Sequence, residues 1–439
     1  MTPFEIGLLS LVAILVLIQL GMHVAVALMS VSFLGVWWIR GVADVAGAFL
    51  SLAALDSVAR YSFGVIPLFV LMGMLIDLSG LGRDVFQVAR QIFGRMAGGL
   101  GIATVFANAI FAAVNGTSIA SASVFTRLAV PQLLEAGYSR RFSVGVVAGS
   151  SVLGMLIPPS LLLILYGIIA EQSIGALFTA GIVPGIVLSV IFTAAILILV
   201  KFFPSFVTAD GSSRLPVSAD PPMGIVHLAG KSAPVALLIL IVLGGIYGGV
   251  FTPTEAGGVG AFAALVFTAL RGRLTGHAFW RVLVETGRVT AAITFLIIAA
   301  HMYARLLALT GLPNHIDGLI TDHGLGLAAV LAVYLVIVLI LGAILDSTSI
   351  MLILLPLFLP VMSGLGVDLI WFGILTIVAV EVGLLTPPLG IACFVVKANL
   401  EDIDISLSEI FAGALPFVFA MCVLVALILA VPGMVSVLL

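Results

Sequence analysis

Two short polar stretches sit inside long apolar runs: N-G-T-S-I at residues 115–119 and D-S-T-S-I at 346–350. Each is followed by a proline pair, Pro158-Pro159 in the first half and Pro387-Pro388 in the second. The spacing repeats. Thr348 stands 231 positions after Thr117 (348 − 117), Gly311 stands 231 after Gly80 (311 − 80), and Pro387 stands 229 after Pro158 (387 − 158). A Thr-Ser pair that opens a helix leaves unpaired amides and the positive end of the helix dipole facing outward, which suits a carboxylate. Two consecutive prolines remove donors and clash with the turn before them, so a helix opens there and frees carbonyls around residues 154–158 and 383–387. With the hydroxyls of Thr117, Ser118, Thr348, Ser349 and Thr386, those carbonyls suit a hard cation such as Na+. Asp346 is the sharpest member of the set. An ionised carboxylate inside a bilayer costs roughly 2.5 to 3.5 kcal/mol and marks an ion site, although Asp before Ser-Thr-Ser is also good capping chemistry. Asn115 reads equally well as a cap or as a ligand.

The elements that must hold these residues are membrane helices. The chain has 439 residues, 62% of them hydrophobic and 8% charged, with a mean hydropathy of +1.36. That is too much apolar surface for a soluble domain and too little charge to cover one. Apolar runs recur at roughly 17 to 25 residues, the length that crosses a hydrocarbon core. The expected fold is all-α and polytopic in the lipid bilayer. A net charge of −3 offers no reason to expect nucleic-acid binding. Both cysteines, Cys393 and Cys422, fall in apolar runs and read as small buried hydrophobes. No basic segment precedes the first apolar run, which holds Glu5, so that helix is expected to be retained rather than cleaved.

Charge then sets the topology. In the first half, spans at 4–20 and 24–39 are followed by a mixed, interfacial stretch at 41–60 and a third span at 63–78. Arg83, Arg90 and Arg95 stand before the arm at 99–114, and Arg140 and Arg141 follow the return arm at 119–135. Lys and Arg mark the cytoplasmic face, so both ends want the same side. Two thin spans joined by an outside loop would also satisfy that, but the turn has no charge and little polar surface to hold it in water, so 98–137 reads as a re-entrant hairpin with its tip inside the membrane. A broken helix at 142–172 crosses outward and another span returns. The first repeat occupies 1–202, a polar cytoplasmic linker 203–231, and the second repeat 232–439. In the second repeat, spans at 234–250 and 256–270 lead to a basic segment with Arg271, Arg273, Arg281 and Arg288, and then to a third span at 290–309. The second hairpin, 324–364, and broken helix, 368–400, lack arginines at the matching flanks, so this copy is inverted. Five crossings plus one hairpin per repeat produce that inversion, and inverted repeats with discontinuous helices are the plan of secondary transporters. His301, Tyr303 and Arg305 near Asp317, and Glu255 and Glu381, are further intramembrane polar residues that serve either a path or a scaffold.

Larger fragments carry a resemblance. V-N-G-T-S-I-A-S, G-Y-S-R-R-F-S-V-G, L-I-P-P-S and F-T-A-G-I-V-P-G in the first half, with G-V-F-T-P-T-E-A-G, D-S-T-S and L-L-T-P-P-L-G in the second, make the chain similar to the large membrane subunit of tripartite ATP-independent periplasmic (TRAP) transporters. The resemblance covers essentially the whole chain. It implies a multi-pass protein of the cell inner membrane that takes up organic acids such as dicarboxylates, keto acids or sialic acids. It also implies coupling to Na+, an elevator mechanism, a separate small four-helix membrane subunit and a periplasmic substrate-binding protein. No organic cofactor and no enzymatic activity are expected. Within that frame, Thr117, Ser118, Ser121, Ser160, Thr348 and Ser349 are the expected substrate contacts. Asn115, Gly116, Gly154, Pro158, Asp346, Ser347, Thr348, Gly383, Thr386 and Pro387 are the expected Na+ contacts. The alternatives are a stand-alone ion-coupled anion carrier of the same design and, from another class, an intramembrane enzyme. The latter would need an H-E-x-x-H motif or a Ser/His pairing, and the sequence has no H-E-x-x-H and offers no convincing Ser/His pairing.

Overall fold

A computed structural model describes residues 1–210, 223–400 and 403–439, and within them the chain is a series of helices joined by short turns, with one isolated bridge between Tyr138 and Thr208. The part of the expected linker at 211–222 lies outside the described residues. Seven described helices are long and apolar enough to cross a membrane, or eight when the pair Arg140–Leu156 and Leu161–Ile169, bent by 42°, is taken as one span.

Helix α1 (Pro3–Gln19) starts from a capping box in which Thr2 and Glu5 satisfy each other's amides. After α2 (Val24–Arg40), the mixed stretch expected at the interface forms α3 (Ala43–Ala59). It lies against α2 and a later helix, and a single tight turn at Tyr61–Gly64 joins it to α4 (Val65–Ser79). Helix α5 (Leu81–Phe93) is strongly amphipathic and rests on α6 (Gly99–Asn115). Next come α7 (Ser118–Glu135), α8 (Arg140–Ser151), α9 (Leu153–Leu156), α10 (Leu161–Ile169), α11 (Ile174–Phe202) and the one-turn α12 (Pro204–Val207). Helix α13 (Ile225–Ile239) starts inside the 203–231 stretch, because I-V-H-L-A-G is already apolar and helix-compatible. It runs through one wide turn into α14 (Gly245–Tyr247), and α15 (Pro253–Leu270) follows.

The second half departs from the first at α16 (Gly276–Thr310). The basic segment and the third span form one continuous 35-residue helix, where the first half breaks between α3 and α4 at Arg60 and Tyr61. The remaining helices are α17 (Leu312–Asp322), α18 (Leu327–Gly342), α19 (Ser347–Gly364), α20 (Leu369–Leu384), α21 (Ile391–Ala398), α22 (Leu407–Ala430) and α23 (Gly433–Ser436).

Two sets of strongly packed helices, called here a frame and a block, are joined by contacts of α16 with α19 and α4 with α6. In the frame, α4 packs on α15 and α2 on α16. In the block, α8 packs on α22 and α18 on α20. The α8–α22 contact is backbone on backbone, because a Cβ on Gly145 would strike Gly413. Cys393 is buried but Cys422 is exposed on α22, a correction to the expectation that both are interior. An apolar span has a lipid-facing side on which a small hydrophobe is equally at home.

Candidate functional site

The first tip is built by backbone approach. Helix α6 ends at Gly116, whose φ of +73° lies in the left-handed region that a Cβ disfavours. The chain then turns through Thr117, an extended N-cap whose Oγ1 accepts from the Ala120 amide at 3.3 Å. The Gly116 carbonyl accepts from the Leu161 amide at 3.1 Å. A Cβ on Gly116 would stand 2.6 Å from the Pro159 carbonyl oxygen, and one on Gly154 2.6 Å from that of Thr117. The tip is therefore seated in the opening between α9 and α10, where the Pro158-Pro159 peptide is cis. The carbonyls of Ile157 and Pro158 accept no hydrogen bond among the described residues, the Leu161 amide that would reach Ile157 O in a continuous helix being turned to Gly116 O. Neither do the amides of Ser118 and Ile119 find an acceptor, the usual fate of the first amides of a helix.

The second tip uses a charge. Asp346 caps α19: its Oδ2 accepts from the amides of Thr348 at 3.1 Å and Ser349 at 3.2 Å, while the Ser349 hydroxyl donates to Oδ1. The tip meets the break after α20 through Gly342 and Gly383, where a Cβ on Gly342 would stand 2.6 Å from the Gly383 Cα. The Leu389 amide donates to Ala343 O at 3.0 Å, and the Pro387-Pro388 peptide is cis here too. The carbonyls of Thr386 and Pro387 accept no hydrogen bond among the described residues, so both breaks present the free oxygens that a hard cation needs.

Glu381 joins the two tips. It is buried on α20 at 1% exposure, and its Oε1 accepts from the Ser347 hydroxyl at 2.9 Å. The Ser118 hydroxyl of the first tip faces the same carboxyl without completing a hydrogen bond, and Oε2 has no partner.

A cavity of about 490 Å³ opens beside the tips. Its lining includes Asn115, Thr117 and Thr348 from the tips, Ile66, Val70 and Leu162 among its apolar walls, and Asp77, Ser123 and Arg127 as polar groups along α4 and α7. Ser123 donates to Asn399 Oδ1 at 2.8 Å and accepts from Arg127 at 3.1 Å. The Asn115 Nδ2 is a buried donor with no partner.

Of the expected contacts, only Asn115, Thr117 and Thr348 line this cavity. Ser118, Ser121 and Ser349 are buried beside it, with the Ser118 and Ser121 hydroxyls unpartnered. Ser160 caps α10, donating to Met155 O at 2.5 Å and accepting from the Leu163 amide. Gly116, Gly154 and Gly383 make the backbone approaches, and Pro158, Thr386 and Pro387 form the openings. Arg127 and Asp77 had no motif to announce them; the available signal was a charge at helical spacing inside an apolar arm. Arg305 pairs with Asp56 of α3 rather than with Asp317, and His301 meets the Ser57 hydroxyl at 2.7 Å. Both belong to the frame, as does Glu255, which closes a capping box with Thr252. No three His, Cys, Asp or Glu side chains converge among the described residues.

Comparison with known proteins gives a consistent result. Residues 11–434 match the family described as the tripartite ATP-independent periplasmic transporter, DctM component. The chain is 33% identical to the C4-dicarboxylate TRAP transporter large permease protein DctM of Pseudomonas aeruginosa, over 88% of this chain and 87% of that protein. It is 30% identical to the sialic acid TRAP transporter large permease protein SiaM of Vibrio cholerae, over 86% of each. In structure it is similar to the YdaH transporter of Alcanivorax borkumensis, with a TM-score of 0.66 and 14% identity over 88% of each chain.

Proposed function

Because the chain belongs to the DctM component family of tripartite ATP-independent periplasmic transporters, we propose that it is the large permease of a Na+-coupled carrier importing organic acid anions handed over by a periplasmic binding protein. The observation that supports this reading is an anion-competent tip beside the cavity together with free carbonyls at each of the two helix breaks against which the tips are seated. The unpaired amides of Ser118 and Ile119 suit a carboxylate, and the oxygens around Pro158 and Pro387, near Asp346, suit Na+. The two halves act as inverted repeats, the block moves as an elevator against the frame, and the complex sits in the inner membrane with a small membrane subunit.

An inward-facing state is supported by the residues found toward each face. The cavity runs toward Asp77, near Gly80 and Arg273 on the arginine-rich face. At the other end Arg60 and Glu171 form an ion pair at 2.7 Å between the frame and the block. Each net positive charge carried inward gains about 2.3 kcal/mol per 100 mV, and the Na+ concentration gradient adds to it, so Na+ ions accompanying the anion drive accumulation without a nucleotide.

Reconstitution into liposomes with the family's small subunit and binding protein tests the proposal. Uptake of a labelled C4-dicarboxylate or sialic acid should require an inward Na+ gradient and cease when the binding protein is withheld. Gradient-driven uptake that persists without the binding protein would favour a stand-alone carrier; no Na+ dependence would reject the coupling.

A further inference from the structure

Arg127 lies on α7 about two and a half turns beyond the first tip and lines the cavity. Among the described residues, its guanidinium has no carboxylate within ion-pair distance and a single hydrogen bond, to the Ser123 hydroxyl. Asp77 faces it across the cavity from α4, without an ion pair or a hydrogen bond of its own. Arg127 and Asp77 are both solvent-exposed on the wall of this largely apolar cavity, and a guanidinium with a single neutral partner there is open to an incoming carboxylate, which takes two parallel N–H donors from it.

The second anionic end has a place to go. The hydrogen bond to Ser123 shows that Arg127 reaches back toward the tip, as helical side chains do. Ser123 is five residues from Ser118, roughly 7.5 Å along the axis. A short carbon chain with a carboxylate at each end spans that gap once a hydrogen bond of about 2.9 Å is added at either side. At the tip it meets the unpartnered Asn115 Nδ2 and Thr117. Between the ends, Val70, Leu162 and Leu165 accept the carbon skeleton.

We propose that Arg127 is the second anion contact of the translocated substrate, so that this permease selects small dianionic acids over monoanions of the same length. Asp77 is its counter-charge when the cavity is empty, and the substrate takes its place. This rests on the transporter reading above, and the test separates the two. The purified protein is titrated with succinate, and with butyrate as the one-carboxylate analogue, in Na+ and in choline buffer. Wild type should bind succinate about tenfold or more tighter than butyrate, the loss expected when a charge-assisted contact is removed. Arg127→Gln should abolish that preference, Arg127→Lys should restore part of it, and both should keep the wild-type thermal stabilisation by Na+ alone. Retained succinate preference in Arg127→Gln overturns the assignment. So does a wild type that responds to Na+ but does not distinguish the two acids, and the transporter reading then survives. A wild type that responds to neither Na+ nor acid overturns both.

Discussion

The two tips solve one problem by different means. At the first, a left-handed glycine, Gly116, and a lone hydroxyl cap, Thr117, turn the chain and leave the Ser118 and Ile119 amides open. At the second, the carboxylate of Asp346 takes up two amides and a hydroxyl of its own helix. A helix start already neutralised by an internal anion is a poor place for another. On the reading proposed above, the first tip is the better place for the anion, and two of the cavity's tip residues, Asn115 and Thr117, come from the first hairpin and only Thr348 from the second. Near-identical motifs 231 positions apart (346 − 115) thus cap their helices differently, one with a hydroxyl and one with a carboxyl group.

Exchanging features between the tips tests this difference. The largest effect should come from Asp346→Asn, which makes the second tip as neutral as the first. Uptake should fall by more than about tenfold and lose its dependence on Na+ concentration, while replacement of one cap by another costs folding little; unchanged sodium dependence would remove Asp346 from the proposed cation contacts. Next is Gly116→Ser, which writes the residue at 347 into the first tip. The left-handed backbone costs it about 1 to 2 kcal/mol, and the Cβ meets Pro159 O at 2.6 Å. A lower melting temperature in detergent and loss of transport are expected, and wild-type stability would show that the tip is not seated as described. The smallest effect distinguishes the hydroxyls. Thr117→Val removes a cap and should cost about 1 kcal/mol, whereas Thr348→Val removes none and should leave the melting temperature unchanged. Equal losses in the two would erase the difference between the tips.

Much of this was legible before any coordinates. Composition and apolar run length establish a helical membrane protein, and Pro158-Pro159 and Pro387-Pro388 mark where helix must stop, since a proline pair cannot continue one. The roles of individual side chains were less legible because they depend on what lies opposite. Ser160 looks like a ligand in sequence and is a cap in space. Arg305 finds its partner 249 residues away on α3, which no local pattern can announce. Arg127 and Asp77 are 50 positions apart (127 − 77) and meet only across the cavity between α4 and α7. Glu381 was visible as a charge in an apolar run, but its place between Ser347 and Ser118 depends on how the two halves fold together.

The uninterrupted α16 sets a depth gauge for the whole protein. At 35 residues it is about 52 Å long against a hydrocarbon thickness of about 30 Å, so even a steep tilt leaves several turns overhanging. Those turns hold Arg281, Arg288 and the exposed Trp280, side chains that settle at headgroup level. One stiff rod, anchored there like a keel, fixes the waterline, and the level reached by each tip is measured from it.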